Sequence, residues 1–116
     1  MLPRSARLRK RQEFDRVYRH GKRVTMSAFT LYVYPRRDEA PTRFGFVVGR
    51  RFGTHVARNR LKRRLRAGVR PLLAQVPNGY DCVMVARQAL PETAFPDLIA
   101  QVGTAFQKAF SGEVSC

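Results

Sequence analysis

The sequence predicts an α/β fold, a two-layer α-β sandwich in the order α-β-β-α-β-α around one small sheet. Three observations carry this. The 116-residue chain has the length of one domain. Apolar residues recur at helical spacing in three stretches. Between those stretches lie shorter runs that either alternate or are continuously apolar, as strands do. Hydrophobic residues make up 44% of the chain, enough for a core and too many for a disordered polymer. No repeat or low-complexity linker divides it. Residues 1–116 therefore read as a single domain, with flexible ends expected at 1–8 and 111–116.

The first helix is expected over residues 10–20, where Phe14, Val17 and Tyr18 form one apolar stripe and Gly21 ends it. Residues 28–34 alternate, with Phe29, Leu31 and Val33 on one face and Thr30, Tyr32 and Tyr34 on the other. Arg43 to Gly49 reads as a second strand, expected as the antiparallel hairpin partner of the first. A helix from Val56 to Leu73 carries Ala57, Leu61, Leu65, Val69, Leu72 and Leu73, although Pro71 falls in its last turn. Residues 81–86, Asp-Cys-Val-Met-Val-Ala, suit a strand buried on both faces. A final helix from Phe95 or Pro96 to Phe110 presents Leu98, Ile99, Val102, Phe106, Ala109 and Phe110 to the core.

Charge narrows the function. The chain has 23 Lys plus Arg against 8 Asp plus Glu, a net +15. Such a molecule repels itself and attracts polyanions, nucleic acid foremost. The cations are concentrated in two blocks, Arg4 to Arg23 and Arg50 to Arg70, and no acidic residue occurs from Ala40 to Tyr80. Either one continuous basic surface or two faces meeting one partner would follow. On the central helix, Arg58, Lys62 and Arg66 line one side, Arg63 and Arg70 broaden it, and Leu61 and Leu65 anchor the opposite side. Like charges at this spacing repel by roughly a few tenths of a kcal/mol per pair, and an ordinary solvated face would mix in Glu. Arg suits phosphate because its planar fork donates in pairs. Asn59, among these cations, fits a helix cap or a hydrogen bond to RNA equally well. Upstream, Gly49 and Gly53 flank Arg50 and Arg51 in a loop suited to close backbone approach or positive φ.

These residues resemble a known family. Gly45-x-x-Val48-x-Arg50-Arg51-x-Gly53, followed by Arg58-Asn59-x-x-Lys62-Arg63-x-x-Arg66, is similar to the arginine- and asparagine-rich signature of the bacterial ribonuclease P protein subunit. Arg11-x-x-Phe14-x-x-Val17-Tyr18-x-x-Gly21 resembles that family's first helix, and the likeness runs from about Arg7 to Phe110. Val47 and Gly49 stand where the family often carries serine, and the tail after Phe110 is short, with no basic extension.

The resemblance implies a mixed sheet with a left-handed β-α-β crossover, where ordinary topology would be right-handed. It implies a protein that joins a catalytic RNA, the pair removing the 5′ leader from precursor tRNA, with hydrolysis done by the RNA and its Mg2+. By position, Arg58, Asn59, Arg60, Lys62, Arg63 and Arg66 would face the catalytic RNA. Phe14, Tyr18 and Tyr32 would line a cleft for the single-stranded leader, edged by Arg50 and Arg51. Arg9 and Arg11 would add basic contacts. Aromatic platforms beside cations suit single-stranded RNA, whose bases stack with little sequence preference. One protein per RNA, a monomeric free chain and no membrane partner are expected.

No protein active site is expected. His20 and His55 are the two histidines, and the acids form no evident metal cluster. No C-x-x-C supports zinc; Cys82 reads as a buried hydrophobe and Cys116 as a terminal thiol. The basic N-terminal stretch is not followed by an apolar run, so no secretory signal is expected and the cytosol is the default compartment. Two other readings compete. One is a ribosomal or other structural RNA-binding protein. The other is a DNA-binding regulator, which the phosphate-type side chains of residues 58–66 disfavour. If about six phosphates are neutralised, RNA affinity should fall on the order of a thousandfold between low and moderate salt. Filter binding across a salt series measures this, and a flat response would contradict the electrostatic reading.

Overall fold

The computed structural model describes residues 7–114. Helix α1 (Arg11–His20) precedes strands β1 (Lys22–Thr25), β2 (Phe29–Pro35) and β3 (Arg43–Val47). Helix α2 (His55–Val69), strand β4 (Tyr80–Ala86) and helix α3 (Phe95–Val114) follow. Short 3-10 turns at Arg50–Phe52, Arg70–Gln75 and Leu90–Glu92 join the last four elements. The strands form one sheet in the spatial order β1-β2-β4-β3. β4 runs antiparallel to β2 and parallel to β3, so the sheet is mixed and α2 connects two parallel neighbours.

The expected α/β class holds, with corrections to its parts. β3 is not the hairpin partner of β2, because β4 inserts between them. The reason is burial: Cys82, Met84 and Ala86 face one core cluster while Val83 and Val85 face another, and such a strand belongs at the centre. The element order also gains β1, which pairs antiparallel with β2. Only Val24 of its four residues is buried, so its sequence gives no alternating signal. Lys22 and Arg23 are exposed on it, the usual protection of a sheet edge. α2 stops at Val69 rather than Leu73, since Pro71 has no amide hydrogen and its ring crowds the preceding turn. Leu72 and Leu73 still pack on the core from the 3-10 turn. α3 extends past Phe110 to Val114.

Of the ends expected to be flexible, Arg7 and Leu8 are instead built into the sheet edge. The Leu8 amide donates to the Phe44 carbonyl at 2.8 Å, and Leu8 is buried. Residues 1–6, 115 and 116 lie outside the described residues, and Cys116 with them.

Helices cover both faces of the sheet. On one, Phe29, Leu31, Phe44, Cys82 and Met84 meet Leu61, Leu65 and Val69 of α2 and Leu98, Val102 and Phe106 of α3. On the other, Leu8, Val17 and Val83 form a smaller cluster, with Phe14, Tyr32, Tyr34, Val47 and Val85 packed against it. α1 is the helix of this second face. Glu13 secures its first turn, accepting from the Lys10 amide at 3.1 Å and the Arg9 amide at 3.3 Å. Cys82 is fully buried, and burial drives its thiol far above the ordinary range, which leaves it inert. Among the described residues no helix is long and apolar enough to cross a membrane.

One buried carboxylate ties this second face together. Asp81, at the start of β4, is fully buried. It accepts from Arg36 Nη1 at 2.5 Å, from Arg43 Nε at 3.0 Å and Nη2 at 2.9 Å, and from Arg16 Nη2 at 3.3 Å. Arg43 also reaches Glu13 Oε2 at 2.6 Å, so β3, β4 and α1 share one ionic network. Burial pushes the Glu13 carboxyl up, but the Lys10 and Arg9 amides and the Arg43 guanidinium outweigh it and hold the group below the usual carboxylate range. Removing one member of a buried pair typically costs about 3–5 kcal/mol. Asp81→Ala, which removes the partner shared by three arginines, should lose about that much in urea unfolding; a loss under about 1 kcal/mol would contradict the network's role.

Candidate nucleic-acid interface

Helix α2 begins where the chain reverses at Gly53, whose φ of +115° is a conformation that side-chain-bearing residues rarely adopt. Thr54 then caps the helix, its hydroxyl accepting from the Ala57 amide at 3.2 Å. With Thr54 as cap, the capping role considered for Asn59 falls away; Asn59 is exposed within the helix. Gly49, by contrast, has an ordinary φ of −69° and open space where a side chain would stand.

Leu61, Leu65 and Val69 pin α2 to the sheet. Asn59, Arg60 and Arg63 are exposed, whereas Arg58, Lys62 and Arg66 are half-buried. The expected row of Arg58, Lys62 and Arg66 is therefore present, but it borders the core instead of standing opposite Leu61 and Leu65. Seven residues make nearly two helical turns, which sets Arg58 almost beneath Leu65. Its Nε is buried with no hydrogen-bond partner among the described residues. Arg66 lays its guanidinium over the Phe46 ring of β3, 5.6 Å from the centroid. Its pKa is lowered by burial first and then by the positive charges of Arg7 and Arg63. Arg7 and Arg66 thus bring the two basic blocks of the sequence together at the edge of β3.

Arg64 has a different task. It donates to the Leu90 carbonyl at 3.1 Å and also to that of Thr93, fastening the β4–α3 connection to α2. Spacing alone does not separate it from its neighbours Arg63 and Arg66.

The aromatic cleft lies on the opposite face of the sheet. The Phe14 ring rests directly on Gly45 of β3; a Cβ there would come within 2.4 Å of two ring carbons. The Tyr18 and Tyr32 rings meet edge to face with centroids 5.1 Å apart. Tyr18 is 38% exposed, while Phe14 and Tyr32 are half-buried. Burial, aided by Tyr32 and Asp15, raises the Tyr18 phenol pKa, so it stays neutral at physiological pH. The three aromatics form a partly open platform, joined to the smaller core cluster through Phe14 and Tyr32.

Other residues are placed less centrally. Arg50 is exposed in the 3-10 turn after β3. Arg51 stacks over Phe52 at 5.2 Å, in a groove shared with Gln88 and Pro91, and Phe52 packs on the α2–α3 side. The contacts of Arg51 are therefore away from the aromatic platform. Arg9 and Arg11 are exposed at the start of α1. His20 lies 6.5 Å from Tyr34 in a groove with Gln12, Asp15, Arg16 and Arg19, whereas His55 is exposed at the start of α2. Among the described residues, no group of three His, Cys, Asp or Glu is gathered to hold a metal ion.

The family model for ribonuclease P matches residues 2–110. The chain belongs to the ribonuclease P protein family. The ribonuclease P protein component of Symbiobacterium thermophilum is 41% identical over 108 residues, covering 93% of this chain and 94% of that one. The Roseiflexus castenholzii protein component is 40% identical, covering 93% and 88%. In structure, the Thermotoga maritima RNase P protein superposes with a TM-score of 0.78 at 28% identity, over 88% of this chain and 96% of that one. The Staphylococcus aureus RNase P protein shares the fold, with a TM-score of 0.81 at 22% identity over 92% and 97%.

The distinction between neighbouring arginines is measurable. Hydrogen bonds from a charged donor contribute about 1.5–3 kcal/mol, so Arg64→Ala should lower unfolding stability by about that amount. Arg63→Ala, on the exposed face, should stay within about 0.5 kcal/mol of the parent. Equal losses in urea titrations would contradict the assignment.

Proposed function

We infer that this ribonuclease P protein binds the catalytic RNA through α2 and the 5′ leader of precursor tRNA through the Phe14–Tyr18–Tyr32 platform. The complex frees the mature 5′ end of the tRNA, and the hydrolysis belongs to the RNA and the Mg2+ that it holds. One observation carries this reading: β3 connects both surfaces. Phe46 of that strand carries Arg66 of α2, and the adjacent Gly45 carries Phe14 of the cleft. An RNA lying along Arg58, Lys62, Arg63 and Arg66 and a single strand stacked on the aromatics would meet across this one strand.

The chemistry fits the division of labour. Guanidinium groups held by a folded scaffold give phosphate oxygens paired donors at fixed positions. Neutral aromatic rings stack on bases of any sequence, as a variable leader requires. Glu13 and Asp81, the carboxylates beneath α1, are engaged by arginines. The protein's part is to position RNA, working in the cytoplasm as one copy per RNA. A purely structural RNA-binding protein has less use for an open aromatic platform.

Reconstitution tests the reading. The chain alone should cleave no precursor tRNA, and adding it to the cognate RNA subunit should stimulate cleavage at low Mg2+. Phe14→Ala should weaken leader-bearing substrate by roughly 5- to 100-fold, as loss of one base stack predicts, and mature tRNA much less. Gly45→Ala, which displaces the Phe14 ring, should act in the same direction. Cleavage by the protein alone, abolished by His20→Ala or His55→Ala, would reject the proposal, and equal losses for both RNAs would reject the cleft.

A further inference from the structure

Towards the C-terminal end of α2, where it faces the start of α3, lies a groove of about 530 Å³ lined by Arg63, Arg66, Ala67, Arg70, Pro71 and Phe95. Its size is that of a small-molecule site. It is separate from the aromatic platform under α1, and Phe95 comes from a helix that otherwise packs the core.

Two features of the lining define what it can take. The first is charge: among the described residues, three arginines and no carboxylate border it. The second is Phe95, which is 40% exposed although its helix buries Leu98, Val102 and Phe106. A solvated aromatic ring beside Ala67 and Pro71 leaves apolar surface in water. Arg63, Arg66 and Arg70 border one groove, so their like charges also repel one another. An occupant that relieves both costs has a flat apolar face and negative charge. An unpaired nucleotide has both, its base stacking on a ring and its phosphates meeting guanidinium groups. An acidic homopolymer such as polyglutamate would supply only the charge.

We propose that this groove is a nucleotide-binding subsite, taking one unpaired nucleotide of the RNA subunit with its base on Phe95 and its flanking phosphates on Arg63 and Arg70. Arg66, held over Phe46, forms the wall that faces the sheet. The subsite rests on the reading that α2 binds that RNA, and it extends the footprint from the exposed face of α2 onto α3. It also gives Phe95 a role that helical spacing alone does not suggest.

The test uses the full chain. In Phe95→Trp, the introduced indole is the only one in the protein, since the chain has no Trp. Its fluorescence should be quenched by a decamer of adenylate in moderate salt, and polyglutamate of matched charge should leave it unchanged. Phe95→Leu, which keeps an apolar side chain but removes the ring, should weaken binding of the RNA subunit on the order of tenfold, and Phe95→Tyr should stay within roughly twofold of the parent. Quenching by polyglutamate but not by the decamer would overturn the proposal. So would Phe95→Leu binding the RNA subunit as tightly as the parent. Lys62→Ala separates the two readings: if it weakens RNA binding while Phe95→Leu does not, the subsite fails and RNA binding by α2 stands. If neither variant weakens binding, both readings fail.

Discussion

A strand with apolar side chains on both faces has to be covered twice, and β4 imposes this on the whole molecule. Cys82 and Met84 require α2 and α3 on one side, and Val83 and Val85 require α1 on the other. Because β4 must sit centrally, β2 and β3 are separated and β3 becomes an edge strand joined to β4 through α2. That placement brings the basic helix and the aromatic platform to opposite faces of the same strand. The proposed site is thus a consequence of where one buried strand has to lie.

The same strand carries the main electrostatic anchor. A chain at +15 gains little from collapsing unless some of its cations are neutralised inside the fold. Asp81 does this for Arg16, Arg36 and Arg43, and Glu13 shares Arg43. These arginines hold α1 and the β2–β3 connection on the sheet. Arg64 is likewise spent on two carbonyls. The basic surface divides into cations that build the scaffold and cations, such as Arg60 and Arg63, that stay exposed on it.

The cations of this surface repel one another; the Arg66 pKa is lowered by burial first, and the charges of Arg7 and Arg63 add to that. Leu61, Leu65 and Val69 hold α2 in place against that repulsion. A helix anchored in this way presents its like charges from a backbone that the core already fixes, so docking a polyanion would require no ordering of that backbone.

The sequence by itself determined the local elements with strong periodicity: α1, the two-faced β2, the doubly buried β4, and the apolar stripes of α2 and α3. It also determined the family, since the glycine–arginine–asparagine signature is local. Strand pairing was decided only in three dimensions, because whether β3 pairs with β2 or β4 depends on which strand must be covered on both faces. β1 was hidden because an edge strand needs a single inward residue, Val24. The tasks of individual arginines were hidden as well. Arg63 and Arg64 are adjacent and chemically identical, and only the helix's rotation against α3 turns one to solvent and the other to the carbonyls of Leu90 and Thr93.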